Sequence, residues 1–85
     1  MVAKSPKHAT VKLMRLAQAA QAADVSKQTV EYYVMLGLVR PIRPEGKRAR
    51  FFDEKLVGRI RLIRRLNRSG YTLRDIREIY LDRWR

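Results

Sequence analysis

Residues 16–41 read LAQAAQAADVSKQTVEYYVMLGLVRP, and the punctuation of this stretch decides the fold. Leu13, Leu16, Ala17, Ala20 and Ala23 fall at helical spacing with Gln18 and Gln21 on the other side, which predicts a first short helix ending near Ala23. Its small alanines let another helix approach closely. Asp24-Val25 is a brief turn. Ser26 then stands as an N-cap before Lys27, Gln28 and Thr29, opening a second helix that runs to about Leu36. Gly37 occupies the C-cap position that stops it.

Downstream the character changes. Residues 40–50, RPIRPEGKRAR, carry five cations and one acid, and Pro41, Pro44 and Gly46 forbid a helix and suggest two extended arms around a tip at Glu45-Gly46. Phe51-Phe52 closes this loop with apolar weight. Asp53 caps a third helix whose buried stripe is Leu56, Val57, Ile60, Ile63 and Leu66. Arg59, Arg61, Arg64, Arg65 and Arg68 crowd its remaining surface. Ser69-Gly70 ends that helix, and Thr72 with Asp75 three residues on resembles a capping box for a fourth, with Ile76, Ile79 and Tyr80 facing inward. Upstream, residues 1–9 (MVAKSPKHA) lack periodicity and read as a flexible N-terminal arm with His8 a bystander, leaving 10–85 as one domain. The expected fold class is mainly α: a winged helix-turn-helix of about four helices, with a small basic β-hairpin wing between the second and third.

Composition narrows the function. Twenty Lys and Arg against eight Asp and Glu give +12 on 85 residues, which points to a polyanionic partner, nucleic acid first and an anionic membrane surface second. Residues 40–68 alone hold eleven cations and three acids, so the field is concentrated on the wing and third helix. Cysteine is absent, which removes disulfides, thiolate metal ligands and a thiol nucleophile and fits a reducing cytosol. The Ala-rich stretch is interrupted by Lys12, Arg15, Gln18 and Gln21, which argues against a secretory signal, and no run approaches a bilayer span. An enzyme reading fails on inventory: no Cys, one His in the arm, no glycine-rich phosphate loop, and Asp53-Glu54 explained by capping. No cofactor and no metal are expected.

Two short helices joined by a tight turn match the geometry in which the second helix lies in the major groove. On that reading Ser26, Lys27, Gln28 and Thr29 start the reading helix. Gln28 suits adenine and Lys27 guanine through major-groove edges. Tyr32 and Tyr33 at a helix end suit either core packing or a phosphate contact through the hydroxyl, and one of each is expected, with Tyr33 mostly buried and Tyr32 on phosphate. Arg43, Lys47, Arg48 and Arg50 are expected on phosphates or in the adjoining minor groove. For Arg61 and Arg64, direct contact competes with a plain solvated face. Trp84 reads as a packing or interface residue.

The chain resembles the MerR family of bacterial regulators over about residues 13–81. In LAQAAQAADVSKQTVEYYVMLGLVRP, Ala20, Val25, Thr29, Tyr32-Tyr33, Gly37-Leu38 and Pro41 fall in step with the family's run. Arg50-Phe51-Phe52 stands in place of its Arg-x-Tyr, and IRLIRRLNRSGYTLRDIREI follows. The resemblance implies a winged helix-turn-helix on promoter DNA, with Tyr32 and Arg50 on the backbone and Lys27 and Gln28 facing bases. Two departures stand out: Glu31 replaces the arginine that usually precedes the paired tyrosines, and would repel phosphate if it pointed at the duplex, or pair with a cation such as Lys27. The family's long dimerising helix and effector domain have no counterpart before Arg85, so a monomer in free solution is expected, with further copies as partners on DNA. The expected function is sequence-specific binding of double-stranded DNA in transcription regulation, in the cytoplasm of a bacterium and associated with its nucleoid. Its rivals are a low-specificity nucleoid or RNA-associated binder and a protein-interaction module.

Overall fold

The computed structural model describes residues 12–80. The arm expected over 1–9 with His8, the stretch 81–85 with Trp84, and the side chain of Tyr80 lie outside the described residues. In chain order come helix α1 (Leu16–Ala23), α2 (Lys27–Met35), α3 (Glu54–Arg68) and α4, an α-helical turn Leu73–Asp75 that widens into a π-helical stretch Ile76–Tyr80.

Helix α1 starts later than the apolar spacing suggests, because backbone pairing takes Met14 out of it. The Met14 N–H donates to the Phe52 carbonyl at 2.7 Å and the Phe52 N–H to the Met14 carbonyl at 2.8 Å. Arg15, extended, becomes the N-cap, and Gln18 Oε1 accepts from its N–H at 3.4 Å. At the other end Asp24 sits at φ 60°, a conformation its short polar side chain tolerates, and the Val25 N–H reaches back to the Ala20 carbonyl at 3.0 Å. Three later caps are where the residue types place them. Ser26 caps α2, Asp53 Oδ1 accepts from Leu56 N–H at 2.9 Å to start α3, and Thr72 Oγ1 accepts from Asp75 N–H at 3.0 Å to start α4. Gly37 ends α2 at φ +80°, where a side chain would be strained.

Helix α1 packs on both α2 and α3 through Ala19, Ala20 and Ala23, all buried, while Ala17 faces out. The alanines therefore do allow close approach, on a face rotated slightly from the expected one. The core is completed by Val30 and Tyr33 of α2, Leu38 and Val39 after it, Phe52, Val57, Ile60 and Ile63 of α3, and Ile76 of α4. Burying each large aliphatic side chain contributes about 1.5–3 kcal/mol relative to leaving it in water. Leu56 and Leu66 are half-buried at the margin. Ile79, expected inward, is 48% exposed, because the π-helical turn carries it further round from Ile76 than an α-helical turn would.

Between α2 and α3 the expected β-hairpin is not formed as paired strands. A loop stands there, pinned by one antiparallel bridge in which Ile42 and Phe51 exchange both backbone hydrogen bonds at 2.8 Å. The sequence explains why the ladder goes no further. Its next hydrogen-bonded pair toward the tip would join residues 44 and 49, and Pro44 has no N–H to donate. On the other side the next such pair would join residues 40 and 53, and the Asp53 carbonyl already accepts from the Val57 N–H at 3.0 Å as α3 begins. The tip turns at Glu45-Gly46, with Gly46 at φ +80° and the Lys47 N–H bonded to the Pro44 carbonyl at 3.0 Å.

Candidate nucleic-acid interface

The start of α2 presents its side chains in two groups. Ser26 Oγ accepts from the Thr29 N–H at 3.0 Å and lies 2.9 Å from Thr29 Oγ1, so these hydroxyls hold the helix terminus. Lys27 and Gln28 between them are exposed. One turn on, Tyr32 is 48% exposed while Tyr33 is 4% exposed and in the core. Burial pushes the Tyr33 phenol up, and the Arg64 guanidinium partly offsets this. Met35, 73% exposed, continues the stripe made by Gln28 and Tyr32. An open groove of about 810 Å³ follows that stripe, lined by Leu16, Ser26 to Thr29, Glu31, Tyr32 and Met35.

The basic loop is joined to α2 through a residue pair far apart in sequence. Arg50 Nη1 donates to Glu31 Oε1 at 3.0 Å and Nη2 to Glu31 Oε2 at 2.9 Å, a two-pronged ion pair at the surface. The Arg50 hydrogen bonds hold the Glu31 carboxyl below its usual range, and Glu31 in turn raises the guanidinium. The partner of Glu31 is thus Arg50, and Lys27 is left exposed. Arg43, Lys47 and Arg48 are exposed on the loop, without an ion pair to any described residue. Arg15 lies over the Phe51 ring, 5.1 Å from its centroid, at a distance suited to a cation–π contact.

Helix α3 supplies the third part. Arg61 Nη2 donates to the Ala22 carbonyl at 2.7 Å, satisfying an orphan acceptor at the C-terminal end of α1, so part of its guanidinium is committed. Arg64 is half-buried and shares a groove of about 510 Å³ with Ser26 and Lys27. Arg65 and Arg68 join Arg61 and Arg64 around a further groove of about 470 Å³ floored by Ala23 and Asp24. Positions 61, 64, 65 and 68 follow the spacing of one helix face, which makes Arg65 and Arg68 legible in the sequence although the expected contact set omitted them. Met35 was missed as well, though its spacing from Gln28 and Tyr32 signals the shared stripe. The surface therefore unites Ser26 to Thr29, Tyr32 and Arg64 directly and Arg50 through Glu31. Arg43, Lys47 and Arg48 stand on the loop apart from α2. Among the described residues no cluster of His, Asp or Glu could hold a metal ion, and no helix is long and apolar enough to cross a membrane.

Two helices meeting at a tight turn, with the second starting on an open cation-rich surface, define a helix-turn-helix domain. Residues 14–82 match the family described as MerR HTH family regulatory protein, and the chain belongs to that family. It is 35% identical over 62 residues to the mercuric resistance operon regulatory protein of Bacillus cereus, covering 73% of this chain and 47% of that protein. To the HTH-type transcriptional regulator HmrR of Sinorhizobium medicae (strain WSM419) it is 29% identical over 72 residues, covering 85% of this chain and 48% of the relative. The chain spans about half the length of the curated relatives it matches. Among solved structures it is similar to that of HiNmlR, a MerR family regulator lacking the sensor domain, bound to promoter DNA. The TM-score is 0.70 at 28% identity, covering 79% of this chain and 51% of that one.

Proposed function

We propose that this domain binds double-stranded DNA with sequence preference and serves transcription regulation, α2 entering the major groove and the loop 40–50 acting as the wing. The observation that carries the reading is the shared fold with a regulator bound to promoter DNA, together with an α2 whose first-turn side chains Lys27 and Gln28 are exposed. Lys27 and Gln28 read base edges. Ser26 and Thr29 fix the helix end that presents them. Tyr32, Arg43, Lys47, Arg48 and Arg50 take backbone phosphates, and Arg64 adds a flanking one. Arg61 contributes with the part of its guanidinium not bonded to Ala22. The pairing of Glu31 with Arg50 offsets the charge of the one acid in α2. The reading places the protein in the cytoplasm, at the nucleoid, without cofactor or enzymatic activity.

Selection from a random duplex pool, followed by titration of the selected duplex across a salt series, tests this. About five to eight neutralised phosphates give a log–log slope near −5 to −7. A slope shallower than about −2, or no enrichment of any sequence, refutes the reading.

A further inference from the structure

We propose that Glu31 is a positioning residue for DNA binding: its carboxylate grips the end of the Arg50 guanidinium and holds the remaining N–H edge of Arg50 beside α2 for a backbone phosphate. The inference rests on the DNA-binding reading above and concerns the departure from the family's usual residue at this position.

Four observations carry it. The pair is bidentate, Nη1 to Oε1 at 3.0 Å and Nη2 to Oε2 at 2.9 Å, a geometry that fixes the orientation of the guanidinium plane as well as its place. It engages one hydrogen on each Nη, so Nε–H and the outer Nη hydrogens stay available to a second acceptor. The backbone beneath Arg50 is anchored independently, since Phe51 is paired with Ile42 and Phe52 with Met14; the freedom left to Arg50 is in its own side-chain torsions, and Glu31 removes it. The pair also reaches solvent, with Arg50 half-buried at 29% exposure and Glu31 exposed at 47%. Exposed ion pairs add little to stability, so the consequence of this one lies in where the guanidinium points.

The physics opposes two effects of known sign. An unpaired carboxylate near the duplex repels phosphate, so its removal alone strengthens binding and steepens the salt dependence. A carboxylate that orders Arg50 spares the complex the loss of side-chain freedom on binding, so its removal weakens binding and withdraws one phosphate contact. Ordering prevails here because the distances and the anchored loop already place Arg50 in one orientation.

The full chain is compared as wild type, Glu31→Gln, Arg50→Gln and the double variant. Each is titrated by fluorescence anisotropy against a duplex selected from a random pool and against a random-sequence duplex, over a sodium chloride series. Glu31→Gln weakens binding to both duplexes by about 3- to 10-fold, with a salt slope shallower by about 1 and an unchanged melting temperature. In the Arg50→Gln background the same substitution no longer weakens binding and instead tightens it slightly. The Arg50 Nε–H resonance, followed below the melting temperature, shifts on adding duplex in the wild type and stays in place in Glu31→Gln. Glu31→Gln binding as tightly as the wild type or tighter, with an equal or steeper slope, overturns the positioning role while leaving DNA binding intact. Wild type binding neither duplex overturns the DNA reading and this inference with it.

Discussion

Two substitutions at Ser26 separate the stability of α2 from its place on DNA. Ser26→Ala removes the hydroxyl that accepts from the Thr29 N–H at 3.0 Å and that lies 2.9 Å from Thr29 Oγ1. Loss of such an N-cap costs about 1 kcal/mol. A domain of this size has a total stability of roughly 4–13 kcal/mol, and the melting temperature drops by about 4–8 °C per kcal/mol. Ser26→Asp keeps an acceptor at the same helix end and places a negative charge against the positive end of the α2 dipole, so its melting temperature equals or exceeds that of the wild type. On DNA the order reverses. A carboxylate about 7 Å from a phosphate, at an effective dielectric near 40, costs about 1 kcal/mol for each such phosphate, or at least roughly fivefold in affinity. Thermal denaturation gives the stability order and anisotropy titration the binding order: Asp is the more stable protein and the poorer binder. Equal binding by Ser26→Asp and wild type refutes the placement of the α2 N-terminus at the duplex, and an unshifted melting temperature for Ser26→Ala refutes the contribution of the cap.

Further expectations divide between readout, core and pH. Gln28→Ala lowers affinity for the selected duplex by about 1–3 kcal/mol and leaves a random duplex nearly unaffected, whereas Lys47→Ala weakens both alike and reduces the salt slope by about 1; identical profiles across sequences in anisotropy titrations contradict this division. Phe52→Ala, at a fully buried side chain, costs about 3–5 kcal/mol and Ile63→Val about 0.5–1.5 kcal/mol, read from urea denaturation midpoints. Because the Glu31 carboxyl is held below its usual range by Arg50, its ionised form is favoured by folding. The pair's contribution, too small to move the melting temperature at an exposed carboxylate, is therefore present above the ordinary Glu value of about 4.3 and is lost only as pH falls through the lower folded value, which a carboxyl-detected NMR titration resolves. The Tyr33 phenol, pushed up by burial, acts in the opposite direction: stability is full below the ordinary tyrosine value of about 10 and declines as pH rises past it, followed by the phenolate absorbance.

Local chemistry made much of this fold readable. Ser26, Asp53 and Thr72 cap because short oxygen-bearing side chains reach a backbone N–H three residues on, and Gly37 stops α2 because it alone sits easily at φ +80°. The stripe Val57, Ile60, Ile63 is buried as its spacing requires. What escaped depends on contacts between distant residues. Nothing near Met14 announces that its backbone belongs to Phe52, so an apolar periodicity continuing to Leu13 extends the helix too far. The Arg61 bond to the Ala22 carbonyl joins residues 39 apart and the Arg50 bond to Glu31 joins residues 19 apart. An isolated Glu beside Lys27 on the same helix face offers the nearer partner, and tertiary geometry chose the farther one. The missing hairpin ladder differs in kind: Pro44 stands in the sequence as a residue without a donor, and its effect on pairing, as distinct from turning, follows only once Phe51 is known to face Ile42.

That register explains a division of labour within the loop. Successive residues of an extended segment direct their backbone groups to opposite sides, and here Phe51 holds Ile42 on one side while Phe52 holds Met14 on the other. Asp53 follows immediately as the cap of α3. Three consecutive residues thus tie the loop's base to the segment before α1 and to the helix after it, and Arg50 is the last cation before this junction. Its side chain is correspondingly fixed, bonded at both prongs to α2. Arg43, Lys47 and Arg48 share the tip side of the bridge with Arg50, but no described acid holds them. Cations of that kind follow the phosphate backbone by adjusting their own torsions and contribute affinity without register. On the proposed reading a cation held as Arg50 is held contributes register, because the duplex must come to it. On the proposed reading the loop combines both kinds of phosphate contact, and what separates them is the grip of Glu31 on Arg50.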